Sequence, residues 1–71
     1  MTAADHLRAA FPGATVHEAD PGHAWIERAT DEITLLRADA GPWALVVRTP
    51  QVTHTDADDD VAELFRRLKA P

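Results

Sequence analysis

Residues 24–49 read AWIERATDEITLLRADAGPWALVVRT, three β-prone runs separated by two polar breaks. Isoleucine, valine, threonine and tryptophan suit a pleated surface, while Asp31-Glu32 and Asp39-Ala40-Gly41-Pro42 punctuate it, so the stretch predicts an antiparallel sheet. How the strands pair decides which side chains form the core. Across an antiparallel hairpin the paired residue numbers keep a constant sum and the faces alternate with period two, so each loop length fixes a face.

Upstream, Thr15 to Asp20 is expected to pair with His23 to Thr30 across a Pro21-Gly22 turn, with Glu18 opposite Trp25 and His17 opposite Ile26. A two-residue turn at Asp31-Glu32 sets Arg28 opposite Leu35 and Glu27 opposite Leu36. The turn at Asp39 to Pro42 then sets Leu36 opposite Leu45 and Leu35 opposite Val46. Chaining these registers predicts a core face of Val16, Glu18, Trp25, Glu27, Ala29, Leu36, Ala38, Trp43, Leu45 and Val47. The second face then carries Thr15, His17, Ala19, Ala24, Ile26, Arg28, Ile33, Leu35, Arg37, Ala44, Val46 and Arg48.

Helices flank the sheet. Thr2 is placed to cap a first helix, with Asp5 completing a shortened capping box and Pro12-Gly13 ending it; Leu7, Ala10 and Phe11 form its apolar side. Val61, Leu64, Phe65 and Leu68 fall at i, i+3, i+4 and i+7, the stripe of a second helix, with Thr55 or Asp56 as its expected cap. Acids at Asp58, Asp59 and Asp60 precede bases at Arg66, Arg67 and Lys69, matching the helix macrodipole at both ends. Residues 50–55 form the one long connection and have room for a short extra strand segment. The expected fold class is α+β: an N-terminal helix, a four-stranded antiparallel meander sheet and a C-terminal helix, both helices packed on one sheet face. The whole is one α-β-β-β-β-α domain over residues 1–71.

The 71 residues carry a net charge of −5, which opposes general binding of nucleic acid or anionic membranes. A chain this short buries only about 60% of its unfolded surface, so a partner or self-association would help it. There is no cysteine, hence no disulfide and no thiolate metal site. No apolar run approaches the ~18 residues that span a bilayer, and the N-terminus lacks a signal peptide's segments, so a cytoplasmic location is expected. The abundance of alanine, aspartate and arginine, with one lysine and no serine, asparagine or tyrosine, resembles proteins of high-GC bacteria or their phages.

The motifs of chemistry are weak. Asp56, Asp58, Asp59 and Asp60 suggest calcium, but an EF-hand loop begun at Asp56 would need glycine at Val61 and glutamate at Arg67; helix-start acids explain the run. The predicted register sends His17 and His23 to opposite faces, and no histidine pair has helical metal-ligand spacing, so no metal or other cofactor is expected. Thr2 is a helix cap before it is a nucleophile, and the three glycines sit singly beside prolines and make no phosphate loop. Glu18 and Glu27, both expected on the core face, are the one carboxylate pair for acid–base work; edge solvation and tryptophan hydrogen bonding explain them without catalysis, and no catalytic residue is assigned.

The second face decides the functional reading. Ile26, Ile33, Leu35 and Val46 would form an apolar centre with Arg28, Arg37 and Arg48 around it, the composition of a protein interface. These seven are the expected partner-binding residues of a small non-catalytic interaction module, its partner a second copy or a larger protein. The co-facial arginines offer an alternative, anion or nucleic-acid binding, which is disfavoured because both tryptophans, the natural base-stacking groups, are assigned to the other face. A further alternative rests on size and acidity, in which the chain resembles phage and mobile-element inhibitors of host complexes. No membrane and no small-molecule partner is expected.

Overall fold

A computed structural model describes residues 1–70. The order is α1 (Ala3–Ala10), β1 (Val16–Asp20), β2 (His23–Glu27), β3 (Glu32–Leu36), β4 (Trp43–Arg48), β5 (Thr53–Asp58) and α2 (Val61–Lys69). The class is α+β, and the sheet is an antiparallel meander in the order β1-β2-β3-β4-β5. It has five strands, against the expected four. The additional strand, β5, takes Thr53 to Thr55 of the expected connection, which has room for a short extra strand, and runs on through Asp58, expected at the start of the second helix. Thr49 starts its hairpin, donating its N–H to Val52 O at 2.8 Å while its hydroxyl accepts from the N–H of Gln51 and Val52.

Local chemistry places both helices. Thr2 Oγ1 accepts from the Asp5 N–H at 3.1 Å and Asp5 Oδ2 accepts from the Thr2 N–H at 3.0 Å, the reciprocal capping box. Gly13, at φ 88°, adopts the left-handed conformation that turns the chain after α1. The cap of α2 is Asp60, not Thr55 or Asp56, because those two are held in β5; Asp60 Oδ1 accepts from Ala62 at 3.0 Å and Glu63 at 3.4 Å.

The strand registers carry the main corrections. Pro21-Gly22 does make the first turn, with Asp20 opposite His23, but a bulge between Glu18 and Asp20 then shifts the ladder by one. His17 therefore faces Trp25, Glu18 faces Ala24 and Val16 faces Ile26. Gly22 is obligatory there, since a Cβ would stand 2.7 Å from Arg37 O, and its own carbonyl accepts the Arg37 N–H at 2.7 Å. The second turn has two residues as expected but lies at Ala29-Thr30, where Arg28 donates its N–H to Asp31 O and clasps the Asp31 carboxylate with Nε and Nη2, each at 2.7 Å. Ile26 consequently faces Ile33. In the third connection Asp39 takes φ 53° and Arg37 Nε bonds Gly41 O at 2.7 Å, leaving an odd number of residues between the paired Leu36 and Ala44.

One even loop and two odd shifts turn the two strands β2 and β3 over relative to the expected face. Ala24, Ile26, Ile33 and Leu35 point to the helices beside Trp43 and Leu45, and with Ala3, Ala4, Leu7, Val61, Leu64 and Phe65 they make one buried cluster. Trp25, Glu27 and Leu36 point the other way. The helices meet where Phe11 and Phe65 stack edge to face at 5.7 Å and Lys69 Nζ donates to Ala10 O at 2.8 Å. No described helix is long and apolar enough to cross a membrane.

Candidate interaction surface

The helix-free face consists of three rows running across the strands. The central row is His17, Trp25, Thr34, Val46 and Thr55; on one side lie His23, Leu36, Ala44 and Ala57, and on the other Glu27, Glu32, Arg48 and Thr53. Trp25, Thr34, Ala44 and Val46 are half-buried by their neighbours, and Leu36 is 36% exposed. His17 stacks on Trp25 at 5.5 Å and 22°, and His23 approaches the same ring at 5.5 Å. The two histidines thus share a face, contrary to the expected register. Among the described residues no group of three potential ligands comes together to hold a metal.

Of the seven expected partner-binding residues, Ile26, Ile33 and Leu35 are at most 1% exposed and belong to the core. Arg28 lies in the β2–β3 turn against Asp31, its guanidinium 5.4 Å from the Phe11 ring on the helix side. Arg37 lies at the opposite end of the sheet, bonded to Gly41 and 5.4 Å from the Trp43 ring. Only Val46 and Arg48 stand on the helix-free face, Arg48 3.5 Å from Glu32. The three arginines are therefore not co-facial. Trp25 restores an aromatic platform to this face, but Asp20, Glu27 and Glu32 outnumber Arg48 on it and would repel phosphate. Glu18 and Glu27 are exposed on opposite faces and cannot act as a pair.

Thr34, Leu36 and Trp25 are the surface residues that register reasoning missed. The signal was within one strand: Ile33-Thr34-Leu35 alternates apolar, polar, apolar, and this alone sends Thr34 outward.

The helix side is organised by charge. Arg67 donates from Nε and Nη2 to both oxygens of Asp56, at 2.7 and 3.1 Å, and from Nη1 to Asp58 at 3.1 Å. These bonds account for Asp56 and Asp58 of the acidic run, and the α2 cap accounts for Asp60. Hydrogen bonds from Arg67 hold the Asp56 carboxyl below the usual range; the Asp60 N–H, then Arg67, do so for Asp58. Asp31 is lowered by Arg28, Glu63 by Arg66, and Asp5 first by the Thr2 N–H. Burial lowers His6, whose ring meets Trp43 edge-on at 5.3 Å. Beside it, an open groove of about 880 Å³ runs between the helices over Trp43 and Phe65.

The pH dependence of stability follows from these shifts. Each carboxyl has a folded pKa below its unfolded value of 3.8, or 4.5 for Glu63, so its stabilisation is complete above that value and is lost as pH falls through the folded pKa. His6 acts in the same direction below its ordinary 6.5, because the folded state disfavours its protonation. The urea midpoint at fixed protein concentration is expected to begin falling below about pH 6.5 and to drop steeply below about pH 4.5. Asp31→Asn should remove part of the steep limb. A midpoint constant from neutral pH down to about pH 3 would contradict this account.

Compared with protein-family models, curated proteins and solved structures, the chain matches none.

Proposed function

We propose that this protein is a small interaction module whose helix-free sheet face binds a second copy of itself. The observation that carries the reading is the self-complementarity of that face about a twofold axis laid along β3. Such an axis exchanges β2 with β4, so Trp25 of each copy covers Val46 of the other and Glu27 meets Arg48. His23 covers Ala44, while Glu32, Thr34 and Leu36 lie on the axis against their own counterparts, each Glu32 offset by Arg48 of its own chain at 3.5 Å. Each off-axis contact occurs twice and each on-axis contact once, as an isologous interface requires. An axis laid across the strands would instead press the Glu27, Glu32 and Arg48 row onto His23, Leu36 and Ala44, leaving charges against apolar groups.

The arrangement matches aligned sheet packing, in which two twisted sheets lie face to face about 10 Å apart. Five strands at ~4.8 Å spacing and five or six residues at ~3.3 Å rise give a flat face of roughly 400–480 Å², about half of the ~800 Å² that each partner buries in a standard complex, so the interface belongs to the small class. Trp25 is the anchor expected of a hot spot, with charges at the rim setting orientation.

Absolute mass in solution tests the reading. The chain is 7.8 kDa, and a dimer of twice that mass should persist at micromolar concentration. A monomer at every concentration up to about 1 mM would exclude a second copy as the partner and leave a different protein as the occupant.

A further inference from the structure

The two edges of the sheet are unequal. β1 is interrupted by the bulge between Glu18 and Asp20 and is followed by Pro21, features that protect an edge from pairing. β5 pairs with β4 over six residues without a register shift. The phase of that ladder follows from the Thr49 N–H to Val52 O bond, because hydrogen-bonded pairs recur every second residue. His54, Asp56 and Asp58 therefore spend their main-chain groups on β4, while Thr53, Thr55 and Ala57 direct theirs away from the sheet. Independently, the Ala57 N–H is bonded to Asp56 Oδ1 at 2.9 Å, which it could not be if it served β4.

Just inside this edge, on the helix side, is a second cavity of about 300 Å³. Leu45, Val47, Leu64 and Leu68 form its apolar wall, with His54, Thr55 and the Asp56–Arg67 ion pair at the polar rim. A strand laid along β5 would present alternate side chains to the helix side, where this cavity lies.

We infer that β5 is a strand-addition edge for an extended segment of a partner protein, with an aliphatic side chain seated in the cavity and basic residues beside it. Main-chain bonds to Thr53 and Thr55 would supply binding, and the cavity the selectivity. Asp58, Asp59 and Asp60 lie at one end of the edge and the chain carries a net −5, which favours a basic segment. A second copy does not fit: the helix-facing residues of β5 are His54, Asp56 and Asp58, none of which fills an apolar cavity.

The test uses a blocked heptapeptide, Thr-Lys-Thr-Leu-Thr-Lys-Thr, which puts leucine and both lysines on one face. Versions with alanine or aspartate at the centre accompany it, and binding is read by fluorescence anisotropy. The leucine peptide should bind at least about tenfold more tightly than the alanine peptide, the difference expected for methylenes withdrawn from water, and the aspartate peptide more weakly still. Thr55→Pro should abolish binding, since it deletes a donor aimed away from β4. Leu68→Phe, which narrows the cavity, should erase the preference for leucine and serves if Thr55→Pro fails to fold by circular dichroism. No binding at about 1 mM, indifference to the central residue, or an edge occupied by a second copy would each overturn the inference. Repeating the titration on Trp25→Thr separates it from self-association through the sheet face.

Discussion

Leu35→Asp is expected to unfold the protein. Leu35 is fully buried, flanked by Ala24 on β2 and Leu45 on β4 beneath the helices. No cation of the described chain bonds within that cluster, so a carboxylate there must either stay charged without a partner or take up a proton and remain poorly hydrogen-bonded. Either outcome, added to the lost leucine packing, costs several kcal/mol, about 3–5 or more. A chain of this length commands only about 4–10 kcal/mol in total. Far-UV circular dichroism and a urea titration should therefore show loss of the cooperative transition. Leu36→Asp, one residue along, is the control: Leu36 is on the helix-free face and should keep the fold while weakening self-association. If Leu35→Asp stayed folded and altered only the mass in solution, the register of β3 would be wrong.

Trp25→Thr should weaken the dimer by more than about a hundredfold, because a hot-spot tryptophan costs ~2 kcal/mol or more on truncation and this one is used twice. Threonine keeps the β propensity of the position and lies opposite Thr34, so the monomer should remain folded. Sedimentation equilibrium measures the change. Charge reversal tests the orientation. Glu27→Arg alone sets like charges together at two places, and Arg48→Glu alone does the same, so each should weaken association by about tenfold or more. The double variant restores opposite signs and should recover most of the loss. Recovery is specific to an axis along β3; two single effects that simply accumulate would reject that axis.

Both helices were legible because their signals are local. The Thr2 and Asp5 box lies within one turn, and the Val61, Leu64, Phe65 and Leu68 stripe needs no knowledge of the rest of the chain. The sheet was legible as a meander, with Pro21-Gly22 a turn, yet its faces were not. Face assignment by register passes through every loop in series, and one residue too many reverses all that follows. The bulge after Glu18 and the left-handed Asp39 each supplied that residue, and neither has a strong sequence mark. Alternation inside a strand is the safer guide, since Ile33 and Leu35 share a face whatever the loops do.

β5 was hidden for a different reason. Thr53 to Asp58 contains a single small apolar residue, Ala57, and no pattern of burial, because an edge strand has little to bury. Asp56 and Asp58 read as helix-start acids, whereas Arg67, 11 and 9 residues away, draws them to the sheet. Ile26, Ile33 and Leu35 lie in the core as a consequence of the reversed faces, and the arginines do not share a face because Arg28 and Arg37 are committed to their own loops.

The contact that latches the two helices joins residues 59 positions apart, Ala10 and Lys69. Every strand pairs with the one made just before it, so the meander can assemble as it leaves the ribosome, hairpin by hairpin. Val61, Leu64 and Phe65, however, belong to the same buried cluster as Trp43 and Leu45, and α2 follows the whole sheet in sequence. The part of the apolar face that α2 covers therefore stays open until the sheet is complete, which makes docking of α2 a late step in folding.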